Sequence, residues 1–220
     1  MGRKKLEYFE HISLAINVLE EGKELFEIIK GKWNELYFKN NNSIILEIAC
    51  GKGEYTVGLA QLFPDSNFIG IDVKGDRIAV GSKKAEELGL SNVAFLRTNV
   101  YFIEDYFAEN EVSDIWIMFP DPFNIKNKRE NRRLTSVDFL SKYKGIIRNN
   151  GFLRLKTDNL ELFEYSVEQL ELANIEVLDQ TTDLYKSDLN QEHFGLVTKF
   201  ESVFVKRGFS IKYLKAKILK

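Results

Sequence analysis

The 220-residue chain is 44% hydrophobic, 29% charged and 13% aromatic. This is the composition of one folded domain and excludes disordered, collagen-like and mucin-like classes. The only cysteine is Cys50, so no intrachain disulfide is possible and a reducing, cytoplasmic setting is expected. No run approaches the roughly 18 apolar residues of a membrane helix, and Glu7, Glu10 and His11 interrupt the basic start, so no signal peptide is expected. The net charge is -2, but residues 3–5, 126–133 and 206–220 hold 14 of the 31 Lys and Arg and one of the 33 acids. Basic strips on an acidic body suit a polyanionic partner.

Apolar positions at helical spacing over residues 6–33 predict one or two helices, and the run Asn40-Asn41-Asn42 then breaks the chain. Short apolar runs alternate with helical patterns from there on. Strands are expected at 44–48, 68–72, 93–96, 114–119 and 152–156, and helices at 54–63, through Lys83 to Glu87, at 136–148 and at 160–172. Asn149-Asn150-Gly151 reads as a turn. Strands are also expected at 175–178 and 210–214, after a long connection over 181–198. The pattern predicts an α/β fold, a mostly parallel sheet with helices on both faces. The division expected is an N-terminal helical segment, 1–42, and a catalytic domain, 43–220. Loops starting at Ala49, Asp72, Asn99, Pro120 and Thr157 should share the rim where such sheets bind ligands.

The first strand of this repeat runs into Glu47-Ile48-Ala49-Cys50-Gly51-Lys52-Gly53. Glycines between strand and helix allow close approach to a ligand, and Asp72 ends the next strand, where a carboxylate can accept from ribose hydroxyls. The spacing is neither the dinucleotide nor the P-loop pattern. An acid at Glu47 would repel a pyrophosphate but favours the sulfonium and ammonium of S-adenosylmethionine, which is therefore preferred over NAD. E-x-x-x-G-x-G is the usual shape of that site in class I methyltransferases.

The fourth strand ends in Phe119-Pro120-Asp121-Pro122-Phe123, where two prolines fix the backbone around an acid. Lys126, Lys128, Arg129, Arg132 and Arg133 follow and could hold phosphates beside the reactive centre. With Thr157-Asp158-Asn159 and Thr198-Lys199-Phe200-Glu201, the chain resembles the tRNA (guanine-N7-)-methyltransferases from about residue 44 onward. The resemblance implies a Rossmann-like class I fold with a seven-stranded sheet, S-adenosylmethionine as methyl donor, no metal, and N7 of a tRNA guanine as acceptor, at position 46 of the variable loop. It places cofactor contacts on Glu47, Gly51, Gly53, Asp72, Asn99 and Asp121, with Asp121 also catalytic. Substrate contacts fall on Lys126, Asp158, Thr198, Lys199, Phe200 and Glu201. Departures from the family pattern are Ala49 for glycine, Asp72 for glutamate, Asn99 for aspartate and Phe123 for tryptophan. A monomer or homodimer, binding tRNA and no membrane, is expected. The alternatives are a methyltransferase for another nucleic-acid base nitrogen, and a noncatalytic RNA-binding protein that keeps the cofactor fold.

Overall fold

The computed structural model describes residues 3–123 and 130–220. The apolar runs become five parallel strands, β2 (Ser43–Ile48), β3 (Ser66–Asp72), β4 (Val93–Arg97), β5 (Val112–Met118) and β6 (Ile147–Thr157). Strands buried on both faces need cover on both faces. Along β5, Ile115 and Ile117 enter one apolar cluster and Trp116 and Met118 the other, the period-two alternation of a strand packed on two sides. Helices α3 (Glu54–Leu62), α4 (Gly75–Glu87), α5 (Val137–Ile146) and α6 (Leu160–Leu172) make the crossovers.

The sheet has eight strands rather than the seven expected. The additional one, β1 (Val18–Leu19), pairs in parallel with Phe95 and Leu96 of β4 at the sheet edge. Two residues carry no alternation to read. Around it, α1 (Arg3–Leu14) and α2 (Glu24–Ile28) occupy the N-terminal segment. Leu19, Ile29 and Trp33 belong to the same apolar cluster as the central strands, and the Trp33 indole donates to the Tyr106 carbonyl at 2.9 Å.

At the other edge, β8 (Lys212–Ile218) lies antiparallel between β6 and β7 (Glu176–Thr181). The turn expected at Asn149-Asn150-Gly151 is a bulge inside β6. Val112 pairs with Ile147 but Asp114 with Phe152, and Asn150 takes the left-handed backbone, φ 62°. The residues that signal a turn here absorb extra chain without ending the strand. The connection before β8 also holds a helix the apolar pattern did not reveal, α7 (Lys199–Lys206). No helix among the described residues is long and apolar enough to cross a membrane.

Candidate active site

The carboxyl ends of the parallel strands open onto one cleft of about 1180 Å³, lined among others by Ala49, Asp72, Asn99, Asp121, Asp158 and Phe200. All five loops expected to share a rim contribute to it. The cleft also carries the cations Lys74, Arg77, Arg132 and Lys142.

The loop leaving β2 is shaped by left-handed backbone at Ala49 (φ 56°), Gly51 (φ 55°) and Gly53 (φ 64°). Gly53 is needed for space as well, since a Cβ there would stand 2.6 Å from the Phe95 ring. Ala49, where the family pattern has glycine, accepts a strain of roughly 1–2 kcal/mol. The Gly51 N–H donates to Asp72 Oδ2 at 2.9 Å and the Lys74 N–H to Oδ1 at 2.8 Å. Asp72 therefore locks two cleft loops to each other. The Asn99 side chain accepts from the Tyr101 N–H at 3.0 Å and starts a short 3₁₀ turn. Glu47 is buried and is not among the cleft-lining residues. Its Oε2 accepts from the Thr56 N–H at 2.8 Å and from the Thr56 hydroxyl, tying β2 to α3. Burial pushes its carboxyl up to about 7, against the pull of the Thr56 hydrogen bonds.

The loop after β5 is strained at both ends, with Phe119 at φ 51° and Phe123 at φ 40°. Such strain persists where the surroundings over-determine it. Here the Phe119 N–H donates to the Lys156 carbonyl at 2.8 Å and the Phe123 N–H to Asp121 Oδ1 at 3.0 Å. Arg133 Nε donates to the Pro122 carbonyl at 2.8 Å, while Nη2 binds the Glu161 carboxylate and the guanidinium lies 4.5 Å from the Tyr165 ring centroid. Arg133 is 1% exposed, so it is not the phosphate contact that its place in a basic run suggested. It joins the Asp121 loop to the first turn of α6, just after Asp158. The Lys212 ammonium, also buried, donates to the Asp158 carbonyl at 3.0 Å.

Thr198 and Glu201 form a reciprocal capping box at the start of α7. Glu201 is fully buried, 2.5 Å from the Lys156 ammonium, and accepts from the Tyr185 hydroxyl at 2.8 Å. Lys156 also donates to the Tyr55 hydroxyl at 2.8 Å, which lies 3.0 Å from His193 Nδ1. Of residues 198–201 only Phe200 lines the cleft. The Lys199 side chain is exposed and its N–H meets the Glu54 carboxylate at 3.2 Å.

A family model described as a putative methyltransferase matches residues 41–214. A "tRNA (guanine-N(7)-)-methyltransferase" from Christiangramia forsetii is 46% identical over 99% of this chain and 100% of its own length. Proteins of the same name from Bacteroides fragilis (43%, 98% of this chain, 86% of that one) and Cytophaga hutchinsonii (42%, 100% and 99%) are similar to it over comparable spans. The chain belongs to the tRNA (guanine-N(7)-)-methyltransferase family. Solved structures share the fold. The crystal structure of the 16S rRNA methyltransferase KamB superposes with TM-score 0.67 at 14% identity, covering 91% of this chain and 96% of that one. A SAM-dependent methyltransferase from Aquifex aeolicus reaches 0.56 at 17% identity, covering 89% and 97%.

S-adenosylmethionine is the methyl donor of this family of enzymes, and the cleft suits it. Asp72, Asn99, Asp121 and Asp158 give three carboxylates and an amide along the wall, a donor set matched to a cationic ligand bearing ribose hydroxyls and an adenine. Lys126, expected as a substrate contact, lies outside the described residues, as do Lys128 and Arg129. The C-terminal basic strip is partly consumed by folding, since Lys212 is buried and Lys215 pairs with Glu192 at 2.9 Å. Sequence reasoning missed Lys156 and the structural role of Arg133, which have no pattern of their own. It had a signal for α7 in Thr198-x-x-Glu201, the spacing of a capping box.

Proposed function

We propose that Asp121 and Asp158 hold the N–H donors on the edge of a tRNA guanine, setting its N7 against the methyl donor. The reaction of the enzyme is transfer of a methyl group from S-adenosylmethionine to N7 of a guanine in tRNA. The observation that carries the assignment of residues is the meeting of acids from three separated motifs, Asp72, Asp121 and Asp158, with Phe200 in the lining of one cleft. The bound donor supplies an electrophilic methyl on a sulfonium. Guanine N7 has an in-plane lone pair, so no proton need be removed first, and the protein's contribution is positioning and charge. The histidines agree with this. His11 pairs with Ser82 at 2.9 Å, and His193 is buried against Tyr55 and does not line the cleft. Methylation makes the purine cationic, and the carboxylates of Asp121 and Asp158 stabilise that charge as it develops.

Asp72 and Asn99 contact the cofactor from the wall, and Gly51 and Gly53 shape the loop around it. Glu47 acts from beneath by holding Thr56. On the substrate side, Phe200 faces the base, Thr198 and Glu201 position α7 behind it, and Lys126 and Lys199 meet the RNA backbone. The acceptor is the variable-loop guanine at position 46, and the enzyme works in the cytoplasm as a monomer or homodimer. Incubation with labelled S-adenosylmethionine and tRNA, followed by mapping of the modified base, tests the reading. Label on N7 of that one guanine is expected; label on another base nitrogen, on another guanine, or on no RNA overturns it.

A further inference from the structure

Helix α7 turns two unlike faces outward and inward. Glu201 is fully buried, and Val205 packs on the cluster of Leu184, Ile211 and Tyr213. The opposite face carries Phe200, Val203, Phe204 and Arg207 at i, i+3, i+4 and i+7, the spacing of one helical stripe. Phe200 is 46% exposed and Val203 40%, and Phe209 beyond the helix end is 50% exposed. The rings form a continuous row. Phe119 in the catalytic loop lies 5.4 Å from Phe200, Phe200 stacks on Phe204 at 4.3 Å with planes 27° apart, and Phe204 lies 5.5 Å from Phe209. Phe200 and Phe204 both line the cleft that holds Asp121 and Asp158. The row therefore starts at the reactive centre and runs out of it, farther than one flat base requires.

Charge selects the occupant. Over residues 199–209 the cations are Lys199, Lys206 and Arg207, all exposed, and the one acid, Glu201, is buried. The Arg207 guanidinium lies 5.8 Å from the Phe204 ring centroid. Two copies of such a face would repel each other, whereas a polyanion with flat apolar groups fits both the rings and the cations. Aromatic rows flanked by cations are how proteins hold unstacked bases.

We propose that Phe204 and Phe209, with Arg207, form a stacking platform for a second unpaired base of the RNA substrate, a nearest neighbour of the guanine that enters the cleft. This rests on the assignment of tRNA as substrate. The platform holds the strand on one side of the target nucleotide, and Arg207 meets the adjoining phosphate.

The test compares F204L/F209L, which keeps apolar bulk but removes the aromatic faces, with F204W, which keeps a face. The leucine variant should raise KM for tRNA roughly 5- to 100-fold, the scale of a lost base stack, with S-adenosylmethionine affinity and melting temperature unchanged. F204W should retain wild-type KM, and its indole emission should be quenched when tRNA binds, against the two buried native tryptophans. Transcripts with an abasic site on the 5′ or the 3′ side of the target guanine complete the cycle. One of them should weaken the wild type by the same factor and leave F204L/F209L unaffected. Unchanged KM for the leucine variant, equal sensitivity of wild type and variant to both abasic transcripts, or a leucine variant that merely changes oligomeric state would overturn the platform. Because each is measured while the wild type methylates intact tRNA, these outcomes are separate from failure of the substrate assignment, which would show as no methylated tRNA at all.

Discussion

Arg133 donates through Nε to the carbonyl of Pro122, 2.8 Å away, from a position 1% exposed to solvent. The guanidinium fork fits a carbonyl and a carboxylate at once, and here it joins the Asp121 loop to Glu161 at the start of α6. Replacing it with lysine keeps the charge but loses the fork. R133K should lower kcat by about tenfold or more, as expected if the loop proposed to hold the guanine is displaced, and cost roughly 1–3 kcal/mol of stability. The slope of log tRNA affinity against log salt should not change. R132A, at an exposed cleft position, should behave in the opposite way, keeping stability and flattening that slope by about one. Parallel salt titrations and urea melts of the two variants check both.

Asp121 is exposed, and among the described residues its side chain accepts one hydrogen bond, from the Phe123 N–H. Removing the carboxylate should cost the fold about 1 kcal/mol or less. In the role proposed for it, its loss should lower kcat by roughly 100-fold or more. Single-turnover methylation by D121A, with urea unfolding of the same preparation, measures the two effects. Near-wild-type turnover would remove Asp121 from the chemistry.

Lys156 and Glu201 form an ion pair that water does not reach. Burial lowers the Lys156 pKa, and the Glu201 carboxylate opposes that shift without cancelling it, so the lysine's charge depends on its partner. K156M or E201L alone should destabilise by about 3–5 kcal/mol, because a lone charge is left inside, and the double variant should recover most of that loss. A double-mutant cycle from denaturant midpoints gives the coupling. Additive single effects would contradict it.

His193 is held down to about 2 from the ordinary 6.5, first by burial and then by the charges of Lys156 and Arg154. A depressed folded pKa means that its contribution to stability is intact above pH 6.5 and declines as pH falls from there toward 2. Glu47, raised to about 7, acts in the reverse sense, its contribution intact below about 4.5 and lost as pH rises through 7. The difference between wild type and H193F isolates the histidine. Relative to wild type, the variant should gain up to about 1.4 kcal/mol per pH unit below 6.5, read from urea midpoints at pH 7.5, 6.0 and 5.0. A pH-independent difference would contradict it.

The parallel strands and their crossover helices were legible because long apolar runs and helical periodicity are local signals that tertiary packing reinforces. The rim followed from them, since a parallel sheet puts one end of every strand on the same side, and Asp72, Asn99, Asp121 and Asp158 fell there without any need to know their contacts. Strand β1 was illegible because two residues have no period, and the bulge at Asn150 used the same residues as a turn. The basic runs misled for a related reason. A lysine or arginine in a charged string reads as solvated, yet Arg133 and Lys212 are folded inward by partners distant in the chain.

Taken alone, the order of residues determined the fold class, the strand ends that build the cleft and the family, because each is carried by spacing along the chain. Only the folded chain decided which charges face the cleft and which brace it from behind. Glu47, Arg133 and Glu201 stand in motifs beside exposed acids and cations, and each is buried by a partner, Thr56, Pro122 or Lys156. Solvation of a side chain depends on what packs over it in space, and neighbours in sequence do not specify that.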